Sequence, residues 1–297
     1  KELVKLIPKK PAQATKMLEA QVNNSSSGMM HMVLANLYFQ AGRLPEAAEA
    51  YQKCLRNYPE FLRAHKNLGL LYLQLGELDN ALPALSRAVE LGDNDGRTFG
   101  LIGYCLLNKG KYIPAETAYR QAILCNPSNL DWTRGLAQTL YNLAKYEEAL
   151  ALFKDLAAQN PDEQEYWSLM VNVYLNLGNE AKAAATLEII RRMDQATAEN
   201  LGLLGDIYLN QQAFSLALEA YQEALQTGQG LPAETPLRTV DILYAYGSYE
   251  LAEQLISDIH ASYDNSLNAE QSMKLLTIEA GLARVRGDED AARQTLE

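Results

Sequence analysis

The sequence predicts an all-α solenoid made of stacked helical hairpins. The chain has 297 residues, more than one compact core usually holds, so either two domains or a repeat array is expected. Apolar residues make up 48% of it, which is enough for a large core. Alanine recurs every 34 residues, at Ala47, Ala81, Ala115, Ala149, Ala183 and Ala217. A fixed period of this length is typical of a repeat architecture.

The apolar spacing predicts two helices in each repeat. In the first repeat, one helix face carries Leu34, Leu37 and Tyr38, which are three and four residues apart. A second helix follows with Ala47 and Tyr51 at the same kind of spacing. One hairpin cannot cover its own apolar face, so neighbouring hairpins must stack.

Glycine, proline and small residues mark the turns and the helix crossings. Glycine takes the left-handed conformation that ends a helix at low cost, and the turn column holds Gly42, Gly76, Gly110 and Gly178, with Ala144 and Gln212 in the remaining units. Proline closes three of the units, at Pro59, Pro127 and Pro161. A column of mostly small residues predicts close helix crossings filled by a Tyr or Leu of the second helix; it reads Ala35, Gly69, Gly103, Ala137, Val171 and Gly205.

These motifs resemble the tetratricopeptide repeat. The second unit carries His65-x2-Leu68-Gly69-x2-Tyr72, and the third ends on Ala115, Tyr119, Ala122 and Pro127. The resemblance implies a right-handed superhelical solenoid of helix-turn-helix repeats. We expect six repeats over residues 28–231, a degenerate N-terminal repeat or cap over 1–27, and two degenerate repeats over 232–297, the last of them truncated.

The charge of the chain is uneven. Its net charge is −11, but residues 1–150 hold 17 basic and 14 acidic residues, whereas 151–297 hold 9 basic and 23 acidic ones. This balance argues against nucleic acid as a partner. No apolar run is long enough to predict a membrane span. The three cysteines, Cys54, Cys105 and Cys125, have no metal-ligand spacing and are expected to be buried, reduced thiols.

No catalytic, cofactor or metal motif is present in the sequence, so we predict a non-catalytic protein without a cofactor. The chain has no phosphate-binding glycine loop, no Gly-x-Ser-x-Gly and no His-Glu-x-x-His. Its three histidines include His31 and His65, which share a repeat column with Phe99 and Trp167 and are expected to pack. The tyrosine columns are assigned to the core for the same reason.

In tetratricopeptide arrays the first helix of each unit lines the inner groove and carries recognition. The resemblance therefore implies a peptide-binding groove formed by Asn36, Phe39, Arg63, Lys66, Asn67, Leu70, Arg97, Tyr104, Arg134, Gln138 and Tyr141. The corresponding positions later in the chain are more acidic and include Glu165, Glu199, Gly202 and Asp206. Some family members hold a C-terminal carboxylate with a Lys/Asn/Arg clamp. Lys66, Asn67 and Arg97 partly resemble it, but Met32 stands where the clamp would need a lysine.

Two functions agree with these observations. The first is a protein-interaction scaffold or adaptor that binds a peptide or protein segment, acidic in character, in its concave groove. The alternative is a scaffold arm of a larger multidomain enzyme or of a secretion or export assembly. A cytoplasmic location is favoured over a periplasmic one, which a removed signal peptide would allow.

Overall fold

The computed structural model describes residues 10–23, 27–227, 231–263 and 266–295. Over these residues the chain forms helices, turns and no strand, as the fold class requires. The helices are α1 Pro11–Gln21, α2 Gly28–Gln40, α3 Leu44–Asn57, α4 Leu62–Gln74, α5 Leu78–Glu90, α6 Gly96–Asn108, α7 Tyr112–Cys125, α8 Leu130–Asn142, α9 Tyr146–Gln159, α10 Gln164–Asn176, α11 Glu180–Arg192, α12 Ala198–Asn210, α13 Phe214–Gln226, α14 Glu234–Ala245, α15 Tyr249–Tyr263, α16 Ala269–Val285 and α17 Glu289–Gln294.

The chain divides into two compact units, Lys1–Leu152 and Phe153–Glu297. In the first unit α2 packs on α3, α4 on α5 and α6 on α7; in the second, α10 packs on α11 and α12 on α13. The twelve helices α2–α13 are the number that six hairpins need. The predicted repeat boundaries stay predictions, because residues 24–26 and 228–230 lie outside the described residues.

Close helix crossings are formed at the small-residue column. A Cβ added to Gly69 would lie 2.6 Å from Leu85 Cγ, and one on Gly103 would lie 2.9 Å from the Tyr119 ring. The alanine column is completely buried in every unit, and Ala115 is 0% exposed. At Gly69 and Gly103 the helices therefore approach so closely that a larger side chain has no room without a shift.

The turns inside the hairpins all use the left-handed conformation, with or without glycine. Gly42 and Gly110 have φ of 72° and 68°, and Ala144 and Gln212 adopt the same conformation with φ of 56° and 58°. The fold therefore fixes the turn geometry even where the sequence supplies a residue with a Cβ, for which this conformation is costly.

Two side chains of the His/Phe/Trp column bond to the turn between units. His65 Nε2 lies 2.8 Å from the carbonyl oxygen of Pro59, and Trp167 Nε1 donates to that of Pro161 at 2.8 Å. His31 is 3% exposed. The column therefore contributes packing, as the repeat pattern predicted, and it also makes turn contacts that the pattern did not predict.

The prediction that all three thiols are buried is wrong for Cys125. Cys54 and Cys105 are buried free thiols, whereas Cys125 is a free thiol that is exposed. Cys125 is the last residue of α7, and its Sγ lies 3.6 Å from the carbonyl oxygen of Asn94, just before α6 begins.

Candidate functional site

The eleven predicted groove residues lie on four first helices of the first compact unit, α2, α4, α6 and α8. Successive first helices are neighbours, because Asn67 Nδ2 on α4 donates to Asn36 Oδ1 on α2 at 3.0 Å. None of the eleven is buried. These eleven residues together are called the inner face below.

A polar network fixes the inner face in the first repeat. The Tyr51 hydroxyl, from α3, donates to Asn36 Oδ1 at 2.6 Å, and Asn67 bonds to the same oxygen. Burial raises the pKa of Tyr51 to about 12, so the phenol stays neutral and keeps its proton for this bond. Asn36 and Asn67 are therefore held in fixed positions before any ligand arrives.

Lys66 is bound by two carboxylates of the next repeat. Its Nζ donates to Asp95 Oδ2 at 2.8 Å and to Asp93 Oδ1 at 3.2 Å, just before α6 begins. Burial lowers the pKa of Lys66, but the bonds to Asp95 and Asp93 outweigh it and leave the pKa raised. Lys66 is thus neutralised within the fold, which removes the lysine from the clamp arrangement that the sequence partly resembled.

The remaining basic side chains of the inner face differ in their surroundings. Arg134 Nη2 lies 3.4 Å from Asp131, one turn earlier on α8. Arg63 and Arg97 are exposed, and neither guanidinium has an ion pair with any residue in the described ranges. The basic character of the inner face therefore comes mainly from two arginines on α4 and α6.

The third repeat differs from the first at the same register. Tyr104 occupies the column of Asn36 and is 47% exposed, and Gly135 occupies the column of Asn67. A Cβ on Gly135 would lie 2.3 Å from Tyr119 Cζ, so the Tyr119 ring lies directly against the α8 backbone. The sequence pattern assigns Tyr119 to the core and does not single out its hydroxyl. The available signal was that Tyr104 and Gly135 replace the two asparagines that surround the equivalent Tyr51 hydroxyl.

The second compact unit has a cavity that is lined partly by acidic side chains. A cavity of about 490 Å³ is lined by Glu199, Gly202, Leu203, Asp206, Leu231, Pro232 and Thr235. Asp206 accepts a hydrogen bond from Tyr221 at 2.7 Å and pairs with Arg238. Gly202 was expected on the open face but is buried, because Leu231 lies directly over it.

Within the described ranges, no helix is both long and apolar enough to cross a bilayer. In the same residues, no group of three or more His, Cys, Asp or Glu side chains is arranged to hold a metal ion.

Comparison with known proteins identifies the repeat type. Two family models, both described as tetratricopeptide repeat, match residues 25–96 and 168–232, and residues 106–173. The chain matches no curated protein. The two models together span about two thirds of the chain.

Similar solved structures share the fold at low sequence identity. YrrB, described as a TPR protein with an unusual peptide-binding site, is 21% identical, with a TM-score of 0.55 over 60% of this chain and 91% of its own. A MamA structure is 17% identical, with a TM-score of 0.52 over 57% of this chain and 92% of its own. MamA from Desulfovibrio magneticus RS-1 is 13% identical, with a TM-score of 0.51 over 58% of this chain and 98% of its own.

Proposed function

The chain belongs to the tetratricopeptide repeat family, whose members are generally non-catalytic protein-interaction scaffolds, and we propose that its first compact unit binds an extended peptide segment of a partner protein. The segment lies along the inner face of α2, α4, α6 and α8. It carries acidic groups that pair with Arg63 and Arg97.

One observation carries the proposal: the inner face keeps two exposed arginines that form no ion pair within the described residues, while three of its other polar side chains are already bonded within the fold. Asn36, Asn67 and Lys66 are held by bonds within the fold. Arg63 and Arg97 are exposed on neighbouring first helices, and Tyr104 adds an exposed aromatic surface beside them. Positioned cations with an adjacent aromatic ring are typical of peptide-binding surfaces.

The probes are peptides selected for binding to the wild-type protein from a random dodecapeptide display library. The double variant Arg63→Glu with Arg97→Glu is expected to bind the selected peptides with an affinity lower by about tenfold or more, because two favourable charge contacts become repulsive. Binding to the wild type is also expected to weaken as salt rises, since exposed charges are screened beyond about 8 Å at physiological ionic strength.

The control carries the same change in charge elsewhere on the first unit. Arg56→Glu with Lys111→Glu alters two exposed residues outside the eleven of the inner face. We expect it to bind like the wild type. Equal affinities for the wild type and the Arg63/Arg97 variant, or no selected peptide at all, would show that the inner face is not the binding site.

A further inference from the structure

In the third repeat, one tyrosine hydroxyl has no partner among the described residues. The Tyr119 side chain is 2% exposed, yet its hydroxyl bonds to none of the residues in the described part of the chain. Among those residues, every fully enclosed side-chain nitrogen or oxygen has a hydrogen-bond partner. The Tyr119 hydroxyl must therefore open onto the surface, although the ring that carries it is buried.

The equivalent hydroxyl two repeats earlier shows what is missing. Tyr51 Oη donates to Asn36 Oδ1 at 2.6 Å. In the third repeat that acceptor is replaced by Tyr104, whose side chain is 47% exposed. The fold thus provides a donor at position 119 and omits the acceptor that satisfies the same donor in the first repeat.

Gly135 places the α8 backbone, without a side chain, beside this hydroxyl. Its column holds Asn67 in the second repeat, where the amide contributes to the Tyr51 network. A Cβ at Gly135 would lie 2.6 Å from the Tyr119 oxygen, so no larger residue fits there without a shift. The α8 backbone therefore lies directly beside the Tyr119 hydroxyl.

A guanidinium charge lies near this hydroxyl, that of Arg134, which also pairs with Asp131 at 3.4 Å. Burial raises the pKa of Tyr119 well above its ordinary value, and the nearby Arg134 charge offsets part of that effect. The phenol therefore remains a proton donor at physiological pH. Arg97, one helix earlier, adds an exposed guanidinium without an ion pair in the described ranges.

We propose that Tyr119, Arg134 and Gly135 form a subsite that takes a carboxylate of the bound segment, with the Tyr119 hydroxyl donating to a carboxylate oxygen. This assignment rests on the peptide-binding function proposed above. The carboxylate comes either from an Asp or Glu side chain or from the end of the partner chain. Its oxygen takes the place that Asn36 Oδ1 has in the first repeat.

The test uses peptides selected on the wild type, each made in four forms. The acidic side chains are kept or replaced by the amide, and the chain end is a free acid or an amide. Tyr119→Phe removes the hydroxyl alone and is expected to lower the affinity for carboxylate-bearing forms by about tenfold, the effect of a lost bond to a charged group. Forms that lack the relevant carboxylate should bind both proteins equally weakly.

The matched control is Tyr221→Phe in the second compact unit. Tyr221 is 0% exposed, and its hydroxyl already donates to Asp206 at 2.7 Å. Its removal should leave peptide affinity unchanged and lower Tm, because an internal bond is lost. Tyr119→Phe should instead lower the peptide affinity and leave the Tm of the free protein unchanged.

The outcomes separate this subsite from the proposed function. Equal affinity of Tyr119→Phe and wild type for every peptide form would overturn the subsite while leaving peptide binding in place. A lowered Tm for the free Tyr119→Phe protein would mean that the hydroxyl has an internal partner, and it would also overturn the proposal. If none of the selected peptides binds the wild-type protein, both the subsite and the proposed peptide-binding function are wrong.

Discussion

Lys66 on α4 donates to Asp95 at 2.8 Å and thereby joins one repeat to the start of the next. Asp95 is also the N-cap of α6, because its Oδ1 accepts the backbone N–H of Arg97 at 2.9 Å. The same carboxylate thus caps a helix and holds the ammonium of the preceding first helix. Lys66 stabilises the inner face through this bond.

The Lys66–Asp95 pair predicts a pH dependence of stability. The bond to Lys66 and the N-cap bond hold the pKa of Asp95 below its usual value. A lowered carboxyl pKa gives stability that is present above the unfolded-state pKa, near about 3.9, and is lost as pH falls through the folded-state value. Lys66→Met should therefore cost about 0.5–1 kcal/mol at neutral pH and less in acid.

Urea unfolding of both proteins near neutral pH and at about pH 2–3 measures this difference. Lys111→Met, which removes an exposed lysine, is the control and should shift neither value. A Lys66→Met deficit that persists unchanged in acid would show that the loss comes from packing and not from the ion pair.

The alanine column predicts a strong effect of overpacking. Ala115→Leu should lower the free energy of unfolding by about 1–3 kcal/mol, because the added atoms meet a neighbouring helix at a position that is 0% exposed. Gln121→Leu on the same helix adds an apolar side chain at an exposed site and should change stability little. Equal unfolding free energies for Ala115→Leu and the wild type would contradict the close contact.

The left-handed turns predict a stabilising glycine. Ala144 has φ of 56°, a conformation that glycine adopts without a Cβ penalty, so Ala144→Gly should raise the unfolding free energy by about 0.5–1 kcal/mol. Ala151→Gly, at an exposed site inside α9, should lower it by a similar amount of about 0.5–1 kcal/mol. Chemical denaturation of both variants checks the opposite signs, and a loss of stability in Ala144→Gly would refute the account.

One of the three thiols should react in the folded protein, and the other two should react only after unfolding. Cys125 is exposed and should react with Ellman's reagent in the folded protein. Burial raises the pKa of Cys54, and it raises that of Cys105 to about 11, so both should react after unfolding. Cys125→Ser should abolish the fast reaction; a fast reaction that survives this change would place a second thiol at the surface.

The repeat register was readable from the sequence because it is imposed by local and nearest-neighbour packing. Ala47 and Ala115 recur at a fixed step since each unit buries the same face, and Gly42 recurs since each hairpin needs the same left-handed turn. The fold class and the helix pairs follow from that period. The period places even Ala144 in the turn column, although this position is not a glycine.

What the side chains do on the inner face was decided by tertiary structure. Lys66 is neutralised by Asp95, 29 residues away, and Tyr119 lacks the acceptor that Tyr51 has in Asn36. A repeat period identifies equivalent positions, but a hydrogen bond depends on whether two particular atoms come within about 3 Å. That distance is set by how neighbouring helices cross and which rotamers fit between them, and neither is encoded in the spacing of residue types.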